Sequence, residues 1–115
     1  MTYIILHNPG CSTSRKGLDL LKEAGIEPEV RKYMNASERL SVEELKDIAK
    51  KMGAASPRSF MRAKDAAAAG IDSASSDEAI FEAMAENPKL IQRPIGIKGK
   101  KAVLGRPPAY LLKLA

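Results

Sequence analysis

The sequence predicts a single α/β domain, in which a parallel βαβ unit, a helical middle segment and a C-terminal β-hairpin follow one another. Three patterns predict it: an apolar run before a turn and an amphipathic helix, a series of capped helical patterns, and two apolar runs around a short polar link. The 115 residues are 44% hydrophobic and 29% charged. A chain of this length and composition can enclose one core.

The first unit reads as strand, turn, helix and strand. Residues 3–6 form a compact run rich in β-formers, and residues 7–10 supply turn residues that end it. Ser12 to Ser14 are N-cap candidates for a helix whose apolar residues follow at helical spacing, and Gly25 is a C-cap glycine. Residues 30–33 form a second, charge-interrupted strand pattern.

Capping signals divide the middle of the chain into helices. Ser41 and Glu44 form a capping-box pattern before an apolar stripe over residues 45–52, and Gly53 ends that stripe. Ser56-Pro57 predicts the start of another helix, and the alanine run at 66–69 continues that helix or follows it. A second capping box at Ser75 and Glu78 predicts a further helix, which Asn87-Pro88 ends.

The last part of the chain predicts a hairpin and a final helix. Residues 95–97 and 102–104 are apolar and flank the polar link Lys98-Gly99-Lys100-Lys101. A short polar link between two such runs is typical of a β-hairpin. Arg106-Pro107-Pro108 then predicts the start of a final helix.

Charge is distributed unevenly along the chain. The net charge is +5, but residues 89–115 carry seven basic and no acidic side chains, whereas residues 35–88 carry seven basic and ten acidic ones. A basic segment indicates a solvated face, a nucleic-acid surface or an anion site. Nucleic-acid binding usually adds aromatic residues for stacking. Because aromatic content is 4% and Trp is absent, we expect no nucleic-acid partner.

Cysteine and histidine usage narrows the chemistry further. The chain has one Cys and one His, which excludes an internal disulfide framework and argues against a Cys-rich or His-rich metal site. The apolar run at residues 3–6 is too short to span a bilayer and lacks the features of a signal peptide. We therefore expect a cytoplasmic protein without a membrane partner, whose redox chemistry would need a thiol from another molecule.

Cys11 is the candidate nucleophile. It lies at the start of a predicted helix, where unpaired N–H groups and the helix dipole favour negative charge. Arg15 adds positive charge one turn later, and the imidazolium of His7 is expected near the sulfur. The helix start and the nearby positive charge both lower the pKa of a thiol. The same N–H groups could hold a tetrahedral oxyanion.

Four stretches resemble one known family. The loop HNPGCSTSRK resembles the active-site loop of the thioredoxin-fold arsenate reductases that use glutathione and glutaredoxin, whose pattern is H-N-P-x-C-x-T/S-S-R. Three further stretches follow in family order, at Met61 to Lys64, Asn87 to Ile95 and Gly105 to Pro108. Ser12 stands where the best-known plasmid-borne members have glycine, and their C-terminal extension is lacking, so the chain resembles the short chromosomal branch.

The resemblance implies a fold and a set of roles. The fold would be a thioredoxin-like mixed sheet over residues 1–115, with a helical insertion at about 36–88 and a cis bond between Arg93 and Pro94. Cys11 would be the nucleophile, and His7 would promote its thiolate. The resemblance assigns oxyanion binding to Arg62, Arg93 and Arg106, and a supporting role to the loop residues Asn8, Ser12, Thr13, Ser14 and Arg15.

The resemblance also implies the reaction and its participants. Arsenate or a similar oxyanion would be the substrate, glutathione the co-substrate and glutaredoxin the protein partner of a monomer, with no metal and no bound cofactor. Three alternatives stay open: a glutathione-dependent thiol reductase of another substrate, a carrier of a phosphate-like anion without chemistry, and an RNA-polymerase-binding regulator of the same fold. Such regulators usually carry a C-x-x-C pair, and here Ser14 stands at its second position.

Overall fold

The N-terminal unit consists of two parallel strands joined by a helix. In the computed structural model, which describes residues 2–53 and 56–114, strand β1 spans Tyr3–Leu6, helix α1 spans Ser12–Glu23 and strand β2 spans Glu29–Arg31. Leu6 pairs with Arg31 at the carboxyl ends of the two strands. The predicted βαβ unit is confirmed.

Strand β2 ends two residues before the predicted end at Tyr33. The amide of His7 still donates to the carbonyl of Arg31 at 3.0 Å, and the amide of Asn35 then donates to the carbonyl of Lys32 at 2.9 Å. This turn takes the chain away from β1 and buries Tyr33 completely. The apolar signal at Tyr33 therefore comes from a buried turn residue and not from a strand.

The predicted hydroxyl cap of α1 is wrong. Cys11 occupies the N-cap position, and no side chain caps the helix. The hydroxyl of Ser14 accepts a hydrogen bond from the amide of Asn8 at 3.0 Å instead. At the other end, Gly25 adopts a φ of +80°, as the C-cap prediction requires.

Helical segments fill the chain between β2 and the second half of the sheet. They are a 3-10 helix at Ala36–Glu38, α2 at Val42–Lys51, a 3-10 helix at Pro57–Phe60, α3 at Ala63–Ala68, α4 at Asp77–Glu86 and a 3-10 helix at Pro88–Leu90. Residues 54 and 55, within the predicted insertion, lie outside the described residues. The alanine run thus follows the Pro57 segment as a separate helix.

The capping predictions for this region are confirmed at α2 and corrected at α4. Ser41 and Glu44 form both hydrogen bonds of a capping box. Helix α4 is capped by Ser76, which accepts from the amide of Ala79, one residue later than predicted. The predicted cap, Ser75, is unsuitable because its hydroxyl already accepts from the amide of Asp72 at 3.0 Å.

The predicted hairpin completes the sheet. Strands β3 at Ile95–Lys98 and β4 at Lys101–Leu104 pair antiparallel, and β3 also pairs antiparallel with β1. The sheet order is β2-β1-β3-β4. The final helix is a 3-10 helix at Pro108–Leu114, not an α-helix, and the carbonyl of Leu111 accepts from the hydroxyl of Tyr3 at 2.7 Å.

Each face of the sheet carries its own apolar cluster. Because side chains alternate along β1, Leu6 packs against helices α2 and α4, whereas Tyr3 and Ile5 pack against α1 and the C-terminal segment. The predicted thioredoxin-like mixed sheet is confirmed, as is the cis bond between Arg93 and Pro94. Within residues 2–53 and 56–114, no helix has the length and apolar character needed to cross a bilayer.

Candidate active site

Sheet topology brings four chain segments to the carboxyl end of β1. Leu6 pairs with Arg31 on one side and with Ile95 on the other. The residues that follow β1 and β2 therefore meet those that precede β3. The amide of Gly105 donates to the carbonyl of Pro94 at 2.8 Å, so the residues after β4 join the same edge.

The loop between β1 and α1 holds Cys11 at this edge. The side chain of Asn8 accepts from the amide of Gly10 at 3.0 Å, and its carbonyl accepts from the amide of Cys11 at 3.0 Å. These bonds fix a tight turn that delivers Cys11 to the N-cap of α1, where its side chain is partly exposed. The sulfur thus faces the free N–H groups of the first helical turn.

The surroundings of Cys11 favour its thiolate. Partial burial raises the pKa of the thiol, but the backbone N–H groups of Ser14 and Thr13 and the guanidinium of Arg93 outweigh it. The net result is a pKa below the ordinary thiol value, as the sequence predicted.

The surroundings of His7 disfavour the predicted imidazolium. Its side chain is 5% exposed, and its Nδ1 lies 2.7 Å from the hydroxyl of Ser14. Burial lowers the pKa of His7, and the charges of Lys32 and Arg15 lower it further. Through its contact with the hydroxyl, His7 positions Ser14, whose amide faces the sulfur, and its lowered pKa disfavours the charged form.

Of the three predicted arginines, Arg93 faces Cys11. Arg106 lies at the same edge, and its Nη1 donates to the carbonyl of Arg93 at 2.9 Å. The backbone of Arg62 is held near this edge because its amide donates to the carbonyl of Leu90 at 2.7 Å. Its guanidinium pairs with Asp65 at 3.3 Å. The backbones of all three converge, and one of the guanidinium groups reaches the sulfur.

The remaining loop residues support the turn. Arg15 donates to the carbonyl of Pro9 at 2.8 Å and so closes the loop. Ser14 is fully buried, Ser12 is exposed, and Thr13 contributes its amide to the sulfur. The predicted supporting loop is therefore a set of backbone and hydroxyl contacts around Cys11.

Tyr33 is a candidate site residue that the sequence analysis missed. It is 0% exposed, and its hydroxyl has no hydrogen-bond partner among the described residues. Burial raises its pKa to about 12, and the adjacent guanidinium of Arg93 opposes that rise by its charge and as a hydrogen-bond donor. The charge of Cys11 also raises this pKa, and that of Arg62 lowers it. Its position just beyond the carboxyl end of a parallel strand was an available signal, because ligands of α/β sheets bind at that edge.

The donor set of this site suits an anion. Besides Tyr33, the Nε of Arg93 is buried without a hydrogen-bond partner among the described residues. Guanidinium and backbone N–H groups match the oxygens of a tetrahedral oxyanion. In the same described part of the chain, no three His, Cys, Asp or Glu side chains are arranged to hold a metal ion.

Comparison with known proteins identifies the family of this chain. The sequence model described as the ArsC family matches residues 6–114, which include the Cys11 loop and the segments of all three arginines. This chain belongs to the ArsC family. The matched residues span both halves of the sheet, so ArsC membership covers the whole site and not the loop alone.

Individual ArsC relatives cover the chain almost completely. It is 43% identical over 113 residues to the Escherichia coli (strain K12) uncharacterized protein YfgD, covering 96% of this chain and 93% of YfgD. It is 43% identical over 117 residues to an arsenate reductase from Haemophilus influenzae, covering 99% of both. A solved arsenate reductase structure from Vibrio cholerae matches with a TM-score of 0.89 at 44% identity, covering 100% of this chain and 98% of that one.

Proposed function

We propose that this protein reduces arsenate to arsenite through a covalent bond between the Cys11 sulfur and arsenic, with glutathione and glutaredoxin as external thiols. The observation that carries the proposal is the group of donors around Cys11: the amides of Thr13 and Ser14 and the guanidinium of Arg93. These donors favour a thiolate nucleophile and suit an oxyanion. The names of the Haemophilus influenzae and Vibrio cholerae relatives support arsenate as that oxyanion.

In the first step, the Cys11 thiolate attacks arsenic and one arsenic–oxygen bond breaks. The departing oxygen leaves as water after taking up two protons, and the arsenic stays pentavalent. Negative charge on the remaining oxygens is stabilised by Arg93 and by the N-terminal amides of α1, which are already oriented before the reaction.

Reduction needs two electrons, which one protein cysteine cannot supply by forming a disulfide. The thiol of glutathione attacks the arsenic, a second arsenic–oxygen bond breaks, and that oxygen leaves as water with the thiol proton. The glutaredoxin thiolate then attacks the glutathione sulfur. The electron pair of the broken sulfur–arsenic bond passes to arsenic, which becomes trivalent, while the two external sulfurs form a disulfide. Water displaces Cys11, arsenite leaves and the thiolate is restored. Dependence on a reduced thiol pool agrees with the expected cytoplasmic location.

A coupled assay tests this proposal. Arsenate, glutathione, glutaredoxin, glutathione reductase and NADPH are mixed with the wild-type protein, with Cys11→Ser or with Ser12→Ala as a matched loop control, because Ser12 is exposed. We expect arsenate-dependent NADPH oxidation with the wild type and Ser12→Ala, and none above background with Cys11→Ser. Arsenite release is measured in parallel.

Three outcomes contradict parts of the proposal. Equal rates for the wild type and Cys11→Ser would contradict a covalent intermediate on Cys11. Full activity without glutaredoxin would remove it as the second thiol. Reduction of a glutathione mixed disulfide without any arsenate turnover would favour the alternative of a thiol reductase, because the same Cys11 thiolate can attack a disulfide sulfur.

A further inference from the structure

Two tyrosines of this protein are buried, and they differ in one respect. Tyr3 and Tyr33 are 4% and 0% exposed, and burial raises the pKa of each to about 12. The Tyr3 hydroxyl donates to the carbonyl of Leu111 at 2.7 Å. The Tyr33 hydroxyl finds no acceptor within residues 2–53 and 56–114, and the guanidinium of Arg93 beside it can only donate. Buried phenols usually find a partner, since desolvating a hydroxyl without a compensating hydrogen bond is costly.

The position of Tyr33 suggests what it could bind. The parallel register of β1 and β2 extends to His7, whose amide bonds to Arg31. The chain segment carrying Tyr33 therefore leaves the sheet at the same edge as the Cys11 loop. The charges of Arg93 and Cys11 reach its phenol, and the Nε of Arg93 is also buried without a partner among the described residues.

We propose that the Tyr33 hydroxyl donates a hydrogen bond to an oxygen of the tetrahedral oxyanion that Arg93 holds beside Cys11, both before and after the sulfur–arsenic bond forms. This inference deepens the proposed function and rests on it. The oxyanion supplies the acceptor that Tyr33 lacks within the protein. A hydrogen bond to a charged acceptor is stronger than one between neutral groups.

A phenol gives this site a property that a further cation would not. With a pKa of about 12, Tyr33 keeps its proton at every working pH, so it is always a donor. It adds no positive charge beside Arg93 and therefore does not repel the guanidinium. Tyr33 thus orients the oxyanion without changing the net charge of the site.

The test measures oxyanion binding directly. Inorganic phosphate and arsenate serve as probes, and their protection of Cys11 against iodoacetamide gives a dissociation constant without any turnover. Tyr33→Phe is compared with the wild type, and Tyr3→Phe is the matched control, since it removes the same atom on the opposite face of the sheet. We expect Tyr33→Phe to weaken binding roughly 10- to 100-fold, the ratio that the loss of one hydrogen bond to a charged group produces, and Tyr3→Phe to leave it unchanged.

Thermal stability gives an independent readout, in which we expect the two variants to differ in the opposite order. Tyr33→Phe removes a hydroxyl without a protein partner, so the melting temperature of the anion-free protein should stay the same or rise. Tyr3→Phe leaves the carbonyl of Leu111 without its donor, so the melting temperature should fall. A residue with a purely structural hydroxyl would behave like Tyr3.

The inference and the proposed function can fail separately. Equal anion affinity in Tyr33→Phe and the wild type, or no protection of the wild type by either probe, overturns the inference whatever the coupled assay shows. A rise in the Cys11 pKa in Tyr33→Phe with unchanged anion affinity also overturns it, because the hydroxyl would then serve the thiolate. Anion protection that depends on Tyr33, without arsenate turnover, supports the inference and contradicts the proposed function.

Discussion

At the scale of single residues, Arg93 is the side chain that lowers the pKa of Cys11, in addition to the backbone N–H groups of α1. Its guanidinium forms a hydrogen bond with the sulfur, whereas that of Arg62 pairs with Asp65 and that of Arg106 donates to a backbone carbonyl. Removing Arg93 should therefore raise the pKa of Cys11 more than removing an exposed positive charge from α1 does. Arg93 is also the arginine that we expect to carry the oxyanion.

Arg93→Gln should shift the pH profile of Cys11 alkylation upward and lower turnover by roughly 10²–10³, as the loss of an oriented oxyanion donor does. Lys16→Gln is the control, because it removes one positive charge from the exposed surface of α1, the helix that follows Cys11. Iodoacetamide rates between pH 5 and 10 give both profiles. Equal shifts in the two variants would mean that net charge, and not Arg93, sets the pKa.

His7 should make stability depend on pH. Its folded pKa lies below its ordinary value of about 6.5, so the unfolded chain binds a proton more readily. Stability is then full above about pH 6.5 and decreases as pH falls below it. Glu44, whose pKa is lowered chiefly by its hydrogen bond with Arg31, acts in the same direction only below its own ordinary range near pH 4.5.

Urea unfolding at pH 5, 6, 7 and 8 measures this effect. The wild type should lose stability from pH 7 to 5, and His7→Gln should show a flatter profile over that interval even if its absolute stability is lower. A wild-type stability that rises as pH falls would mean that His7 gains a proton on folding. That result would restore the imidazolium that the sequence predicted.

At the scale of elements, the position of α1 depends on a glycine inside it. A Cβ built on Gly17 would lie 2.6 Å from Leu111 Cδ1 and 3.0 Å from Pro94 Cγ. The close approach brings the helix that starts at Cys11 against the residue that follows Arg93. Gly17 therefore helps to set the distance between the thiolate and its guanidinium.

Gly17→Ala should destabilise the protein by about 1–3 kcal/mol, the usual cost of overpacking. The gain of about 0.5–1 kcal/mol from replacing a helical glycine is smaller and opposes it. Lys16→Ala is the neighbouring control, because Lys16 is exposed. Urea denaturation compares the two variants, and a Gly17→Ala protein as stable as the wild type would show that the contact yields at no cost.

The same elements show what local sequence could predict. Strand β1, the α2 capping box and the β3–β4 hairpin were predictable because each depends on a pattern of neighbouring residues. The cap of α4 was misplaced because both Ser75 and Ser76 carry the same hydroxyl, and the turn at Asp72 decides which one is free. Local pattern cannot choose between two equivalent side chains.

The residues of the site were predictable from the sequence, but their hydrogen bonds and pKa shifts were not. Cys11 and Arg93 were found from a helix start and from the resemblance. The lowered pKa of His7 and the buried Tyr33 hydroxyl without an acceptor depend on burial by distant segments, which spacing does not reveal. A second cis bond, between Arg106 and Pro107, was likewise missed.

At the scale of the whole molecule, the basic C-terminal segment places positive side chains at both ends of the sheet's strands. Residues 89–115 carry seven positive and no negative side chains. Arg93 and Arg106 lie at the Cys11 edge, whereas Lys100 lies in the hairpin turn at the opposite edge, since Lys98 pairs with Tyr3 and Ile95 with Leu6. Positive charge near the thiolate should speed the approach of anions.

This field can be measured with two alkylating reagents that differ in charge. The rate of Cys11 alkylation by anionic iodoacetate, divided by the rate with neutral iodoacetamide, should exceed the ratio for a free thiol at 10 mM salt. It should fall at 1 M salt, because the screening length shrinks from about 30 Å to about 3 Å. Arg106→Gln should lower the low-salt ratio more than Lys100→Gln does, although both side chains are exposed and each variant loses one charge. Equal effects of the two variants would mean that the net charge of the chain steers anions, and that the arrangement of arginines around Cys11 contributes only after contact.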